Sequence, residues 1–515
     1  MSGTESNSKT TFVQIASLVL IVLLAIGVRY WFSAGKPLWI DDYHSIAFST
    51  GHGWAFDHLP RSAIIPVPPD LVTLEGAKPV WSIWTSLDTE PNPPLFFVLL
   101  RLWRELGFDS PAGMRWLTIL MGSLATLLVF DAARHMSQNA RLGLWAALIC
   151  ALSNTAIATS IDLRAYSLMS LLVAALLAVV ARVQSKGFSK RLAIGLCLLP
   201  CLLMLSHYYA LPLCVACGLY CLLQLRGKTR RHAITCFVVS GVIWSIVWLP
   251  VMATQTLGVS RHWYMIDYTT PNHTLAVLRW ASQVPMRLLS EMTPGSATIA
   301  SAFGIGFVVV GLIRARKLPQ ILLPLLCVTL PVVMVLTRDL LDHASQIYLL
   351  RFTAATIPAL AVALVLLVPG RWAHWFCGSI AVYCCLGLTN QSFTNPKENY
   401  AKMGDFFARH LSEADLVIYY QPTAKDDINM NFYVMSFHTN ATGQSILSKP
   451  MMIIDSPPTQ ADVDLISRYR RVLMVRGWNN EISESAIMPD YDDMGSEYEF
   501  YVGAVRRFER RVPTP

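Results

Sequence analysis

Charge is what this sequence has least of. Only 14% of its 515 residues are charged, while 54% are hydrophobic; a soluble domain carries about a quarter charged residues. Acids are missing altogether from five of the short turns between the apolar runs, 134–141, 182–191, 226–231, 314–317 and 370–371. The 11 cysteines all fall inside apolar runs, which argues against a disulfide framework and against a Cys-x-x-Cys zinc site. Cys214 and Cys217 have the spacing of half a metal site, but no second ligand pair accompanies them, and they read as small hydrophobes. There is no Gly-rich phosphate loop, so the usual sign of a soluble nucleotide site is absent. No internal repeat is visible either.

What is present is a series of apolar runs long enough to cross a bilayer, with mean hydropathy +0.45 for the chain. That composition defines a polytopic α-helical membrane protein. Eleven spans are expected, at approximately 11–32, 114–133, 139–159, 165–184, 190–206, 208–226, 232–253, 298–314, 319–337, 350–369 and 372–390. The first run, Thr11 to Phe32, exceeds a signal-peptide core and no small-residue cleavage site follows it, so it reads as a retained helix. With the N-terminus in the cytoplasm, the turns 134–141, 182–191, 226–231, 314–317 and 370–371 all lie inside. They carry Lys and Arg but no Asp or Glu, as the positive-inside rule requires. The net charge of +8 is thus a topology signal, and no nucleic-acid partner is expected.

This topology puts the loops 33–113, 254–297 and 338–349, and the region 391–515, on the outer face. In the first loop, Leu95 to Arg104 is too short to span and carries Arg101 and Arg104 on one side, the pattern of a helix lying in the interface. The loop 254–297 has a similar aromatic and basic mix in His262, Trp263, Tyr264, Arg279 and Trp280. After Asn395 the apolar runs shorten to strand length: Leu416–Tyr420, Met451–Ile454, Arg471–Val475 and a closing strand near Phe500–Val505. A charged helical stretch, Tyr400–Leu411, precedes them. The expected division is a membrane domain over 1–390, with 33–113 as its first outer loop, and a small α/β extracytoplasmic domain over 391–515.

The polar residues concentrate on that outer side. Leu38-Trp39-Ile40-Asp41-Asp42-Tyr43-His44 sets two carboxylates just past the first span, where charge is costly and usually has a role. The plain alternative is that Asp41 or Asp42 caps a short helix running through Ile46 and Phe48. Asp162, Arg164 and Tyr166 occupy the turn between spans three and four, and Ser206-His207-Tyr208-Tyr209 that between spans five and six. Arg338, Asp339, Asp342, His343 and Arg351 surround the start of span ten. Singly these suit an interfacial ion pair, a packed histidine and a snorkelling arginine. Together they describe an acidic and cationic cavity at the membrane surface. There a carboxylate can take a hydroxyl proton and an arginine can neutralise a departing phosphate.

On these residues the chain resembles GT-C glycosyltransferases that use polyprenyl-phosphate sugars. These are the protein O-mannosyltransferase and lipid A aminoarabinose transferase type, glycosyltransferase family 39. The likeness rests on Leu38-Trp39-Ile40-Asp41-Asp42, Asn92-Pro93-Pro94-Leu95-Phe96-Phe97, and Arg115-Trp116 after Asp109-Ser110. It continues in Asp162-Leu163-Arg164-Ala165-Tyr166, His207-Tyr208-Tyr209-Ala210 and Tyr348-Leu349-Leu350-Arg351-Phe352. It implies an inverting sugar transfer at the outer face of a bacterial inner membrane, to a lipid, glycan or protein acceptor. Asp41 would be the foremost catalytic carboxylate, with Asp42 and Asp162 beside it. Arg164 or Arg351 would hold the donor phosphate, and Tyr43, Asn92, Tyr166, His207 and Tyr208 would line the substrate cavity. Where the family has His or Lys before Pro-Pro, this chain has Asn92, and its second acid is Asp42 where Glu is commoner. Asp41 and Asp42 are also a candidate ligand pair for Mg or Mn, since paired carboxylates suit hard cations; the family contains members with and without that requirement. A transporter or lipid flippase is the rival class, and it predicts mid-membrane charge and repeated halves. A scaffold without catalysis would be insensitive to loss of Asp41.

Overall fold

The computed structural model describes residues 2–87, 92–258, 272–290, 297–342, 344–389, 400–420, 428–441, 443, 445, 448–456, 458–477, 488–500 and 503–511. Its helices begin with α1 (Ser2–Ala34), α2 (Ile40–Ser49), α3 (Ser82–Thr85), α4 (Leu95–Glu105) and α5 (Pro111–Ser137). Then come α6 (Ala140–Leu152), α7 (Asn154–Ile161), α8 (Tyr166–Lys186), α9 (Lys190–Ser206), α10 (Leu211–Gln224) and α11 (Gly227–Gly258). They continue as α12 (His273–Leu289), α13 (Ala297–Ala315), α14 (Leu322–Asp342), α15 (Ile357–Leu367) and α16 (Trp372–Thr389). The last three are α17 (Tyr400–Leu411), α18 (Ile428–Ala441) and α19 (Gln460–Ile466). The chain forms two compact units. One holds Met1–Ala34, Pro91–Phe96 and Ala112–Phe393, the other Gly35–Glu90, Phe97–Pro111 and Thr394–Pro515.

The first unit is a bundle of apolar helices, and each of the eleven expected spans coincides with one of them or with a bent pair. Among the described residues seven helices are individually long and apolar enough to cross a membrane, and α6 with α7 makes an eighth. The α10 and α15 segments are shorter apolar helices. All eleven residues of α15 are buried, as befits a helix hydrophobic all round, enclosed by its neighbours. By contrast α1 exposes Phe12, Leu20 and Trp31, which suits a helix facing lipid. The break between α6 and α7 is a 55° bend at Ser153. Its hydroxyl donates to the Leu288 carbonyl at 2.7 Å and accepts from the Ala156 amide at 3.2 Å, capping α7. At the opposite end of the same helices Asp131 on α5 gathers Arg182 Nε at 2.7 Å and Arg134 at 3.0 Å. Two of the basic turn residues are therefore also ion-paired.

One feature of this unit departs from the expectation. Within 254–297 lies α12, a helix packed on α13, α14 and α7. Its buried positions Val277, Ala281, Val284 and Leu288 follow the 3.6-residue period of an amphipathic helix, which the intervening Arg279, Trp280 and Arg287 obscure. The residues His262, Trp263, Tyr264 and His343 lie outside the described residues.

The second unit is built on a six-stranded sheet: β1 (Ile64–Ile65), β2 (Leu416–Tyr420), β3 (Met451–Ile454), β4 (Arg471–Gly477), β5 (Tyr491–Phe500) and β6 (Gly503–Arg510). The spatial order is β1-β3-β2-β4-β6-β5. Strands β3, β2 and β4 are parallel and joined through α18 and α19, and they are the continuous apolar runs that a sheet covered on both faces demands. The expected strand near Phe500–Val505 is a hairpin of β5 and β6, turning at Phe500–Gly503. Strand β1 comes from the first loop and pairs antiparallel with β3, Ile64 opposite Met452 and Ile65 opposite Met451. So 33–113 is shared between the units, while the boundary at 390 falls beside the one at Phe393.

Candidate active site

The acidic stretch opens α2. Trp39 is its N-cap, in extended conformation, and its amide donates to Asp42 Oδ2 at 2.9 Å. Trp39 has no acceptor to return the bond, so only the carboxylate half of a capping box forms. Asp42 is wholly buried in this role and Asp41 half-buried. Both sit in the first turn, where the helix dipole favours ionised carboxylates. The plain alternative is thus realised for Asp42 by its bond to the helix start.

The rest of α2 is clamped by two arginines that interrupt the apolar run of α4. Arg104 donates from Nε to Asp109 at 2.6 Å, from one terminal nitrogen to the Ile46 carbonyl at 3.0 Å and Ser49 Oγ at 2.7 Å, and from the other to the Val72 carbonyl at 2.7 Å. Arg101 pairs with Glu105 at 2.7 Å and reaches the carbonyls of Ser49 and Lys78. Both are buried, whereas Leu102, Leu106 and Phe108 are exposed. The expected helix is present, and the side that carries both arginines is the buried one. The guanidiniums face inward because they donate to the Ile46 and Ser49 carbonyls at the end of α2, which the helix itself supplies with no backbone partner. Tyr43, 1% exposed, places its hydroxyl 2.9 Å from His438 Nε2 on α18.

In the helical unit the turns bring together the cationic residues singled out from the sequence. Asp162 ends α7, and Leu163 and Ala165 are buried while Asp162 and Arg164 stay half-buried. His207 caps the turn after α9, its Nδ1 accepting from the Tyr209 amide at 3.1 Å, so that a single proton resides on Nε2. The Tyr166 ring lies 5.7 Å from it. Burial first, then the Arg164 and Arg351 guanidiniums, lower the His207 pKa to about 3. The imidazole is neutral at ordinary pH, and two cations from different turns share its neighbourhood. Arg351 is carried there by a segment folded around Asp339, whose two oxygens accept the amides of Gln346 at 2.9 Å and Ile347 at 2.7 Å. Tyr209 links to Gln346 and accepts from Arg338 at 3.3 Å, and its ring lies 5.0 Å from Phe352. Asp339 and Arg338, visible in the sequence as outer-face polar residues, therefore shape the Arg351 segment.

Asn92 is buried just before α4. Tyr208 is held to α11, bonded to Gln255 and accepting from Trp248 Nε1 at 2.8 Å. As a metal pair Asp41 and Asp42 fit poorly: adjacent helical side chains diverge by about 100°, and Asp42 already serves the Trp39 amide. Among the described residues no three His, Cys, Asp or Glu groups converge as a metal site.

Residues 91–253 match the family model described as dolichyl-phosphate-mannose-protein mannosyltransferase. Among solved structures the chain is similar to ArnT from Cupriavidus metallidurans in the apo state, at 12% identity and TM-score 0.47, over 97% of this chain and 98% of that one. The same enzyme bound to undecaprenyl phosphate gives 13% and 0.46, over 95% and 97%. The Archaeoglobus fulgidus oligosaccharyltransferase, in complex with Zn and sulfate, gives 12% and 0.46, over 89% of this chain and 68% of that one. No curated sequence matches the chain.

Proposed function

We propose that this protein is a glycosyltransferase that moves a sugar from a polyprenyl phosphate to an acceptor hydroxyl of a lipid, glycan or protein, at the outer face of a bacterial inner membrane. The observation that carries the reading is the series of ring contacts from Tyr166 to His207 at 5.7 Å, His207 to Tyr209 at 5.3 Å and Tyr209 to Phe352 at 5.0 Å, which gathers the turns bearing Arg164 and Arg351 around one buried histidine. Two cations brought to one corner by separate turns suit a phosphate, which they neutralise as it departs. The description of the matched family, with its lipid-phosphate sugar, agrees with that chemistry.

In the proposed step Asp41 accepts the proton of the acceptor hydroxyl. The acceptor oxygen attacks the anomeric carbon, the bond from that carbon to the phosphate oxygen breaks, and the electron pair leaves with the polyprenyl phosphate. One displacement inverts the configuration. Arg164 and Arg351 take the phosphate charge, while Asp162 and Tyr166 line the donor corner. Asp42 keeps the start of α2 in place, and no step passes through a metal. The outward orientation is supported by the uniformly basic inner turns.

The test is purified protein incubated with a panel of polyprenyl-phosphate sugars and candidate acceptors. Consumption of one donor with release of polyprenyl phosphate is expected. A panel left untouched, by protein shown to be folded, would overturn the reading.

A further inference from the structure

The helices that flank the start of α2 in the second unit do more than cover it. His438 on α18 stands between two partners, with Nε2 at 2.9 Å from the Tyr43 hydroxyl and Nδ1 at 3.3 Å from Asp405 Oδ1 on α17. With the carboxylate holding the proton on Nδ1, Nε2 is the acceptor and Tyr43 the donor. The ring fits tightly against α17. A Cβ on Gly404 would come within 2.3 Å of two His438 ring atoms, so only glycine allows this approach. Tyr43 is further enclosed edge-on by Phe437 at 5.7 Å and Tyr400 at 6.4 Å. Its own residue lies one step after the capping Asp42 and two after Asp41. Fixing Tyr43 therefore fixes the turn from which Asp41 projects, while Arg101 and Arg104 fix the other end of the helix.

We propose that Asp405, His438 and Tyr43 form a hydrogen-bonded relay through which the C-terminal α/β region positions Asp41, with His438 and Tyr43 as positioning residues. The proposal rests on the assignment of Asp41 as the base, and it gives that region a role the helical bundle cannot supply. A burial contact alone would need only apolar bulk at residue 438. A relay needs an acceptor there and a hydroxyl on residue 43.

The test pairs two readouts on the full chain in detergent or nanodiscs. Hydrogen exchange of the peptide spanning 38–49 reports the order of α2 directly. Sugar transfer reports kcat and the donor KM. Tyr43→Phe keeps the ring and removes the hydroxyl. It is expected to speed exchange of that peptide about 3- to 10-fold, the equivalent of one hydrogen bond. It should also lower kcat while leaving the donor KM within about twofold, since positioning is felt in the chemical step. His438→Leu should match it, and the double variant should be no worse than either single. His438→Gln, whose amide oxygen can accept from Tyr43, should recover much of both readouts. Unchanged exchange in Tyr43→Phe, or Leu serving as well as Gln at 438, overturns the relay. If the parent protein transfers no sugar, the assignment of Asp41 falls, and the exchange data still decide whether the relay orders α2.

Discussion

In the helical unit Arg164, His207 and Arg351 come from three separate turns, each placed by the helices on either side of it. In the α/β unit Asp41 stands on the first turn of one helix, and that helix is held by bonds from α4 and α18, which are themselves bonded to the stretch around Val72 and to α17. The first arrangement draws its rigidity from apolar packing, which is insensitive to any one polar group. The second depends on buried hydrogen bonds that fail one at a time. A phosphate pocket tolerates the first kind of support because charge acts over several ångströms. A general base needs the second, because its effect depends on close placement.

Asp41→Asn breaks the comparison most severely. It keeps the volume, leaves the Trp39–Asp42 bond alone and removes the basicity, so transfer should fall about 10²- to 10⁴-fold at unchanged expression and melting temperature. Equal amounts of variant and parent in an activity assay decide it, and a normal rate removes the base. Asp42→Asn should act mainly through lost order at the start of α2, with the smaller loss in rate.

Next comes Arg104→Met, which strikes the support and spares the chemistry. It takes the guanidinium from the Val72 carbonyl and from Ser49 Oγ, leaving the Ile46 carbonyl only the Ser49 hydroxyl, at a cost of about 3 kcal/mol. Thermal unfolding should show the loss, with donor affinity unaffected. An unchanged melting curve would mean that α2 is held by packing alone.

The smallest effect is expected in the helical unit. Arg164→Lys and Arg351→Lys keep the charge and lose the planar fork, each weakening donor binding by about 1.5–3 kcal/mol. Apparent donor affinity should change and melting temperature should not. The reverse pattern would mark both as structural ion pairs.

How much of this was legible differs between the units as well. Membrane spans follow from the apolar runs because the bilayer sets their length, and all eleven reappear as helices. The strands Leu416–Tyr420 and Met451–Ile454 and the helix Tyr400–Leu411 match residue for residue, since short apolar runs bounded by polar turns have few alternatives. Strand β1 was hidden because two residues, Ile64 and Ile65, form a strand only when a partner edge supplies the ladder. The burial of Arg101 and Arg104 was not legible because it depends on carbonyls contributed by other segments. The cationic turns were legible because charge near a membrane is costly and therefore conspicuous. His438 was not, since nothing in its neighbourhood along the chain distinguishes it from a surface histidine; only the glycine at 404 hinted at a close approach.

The pairing of β1 with β3 also sets an order of events during synthesis. Ile65 meets Met451, and at about 5–20 residues per second the ribosome needs roughly 20–80 s to make the chain between them. Throughout that interval the bundle can insert and pack, yet the first loop has no sheet edge to join and α2 has neither His438 nor its helix beside it. The acidic turn therefore waits for α18 and β3, although it is among the first segments to be translated. A nascent chain that stalled before β3 would be a membrane protein without an assembled base. On the proposed assignment of Asp41, activity waits until the C-terminal region has been made.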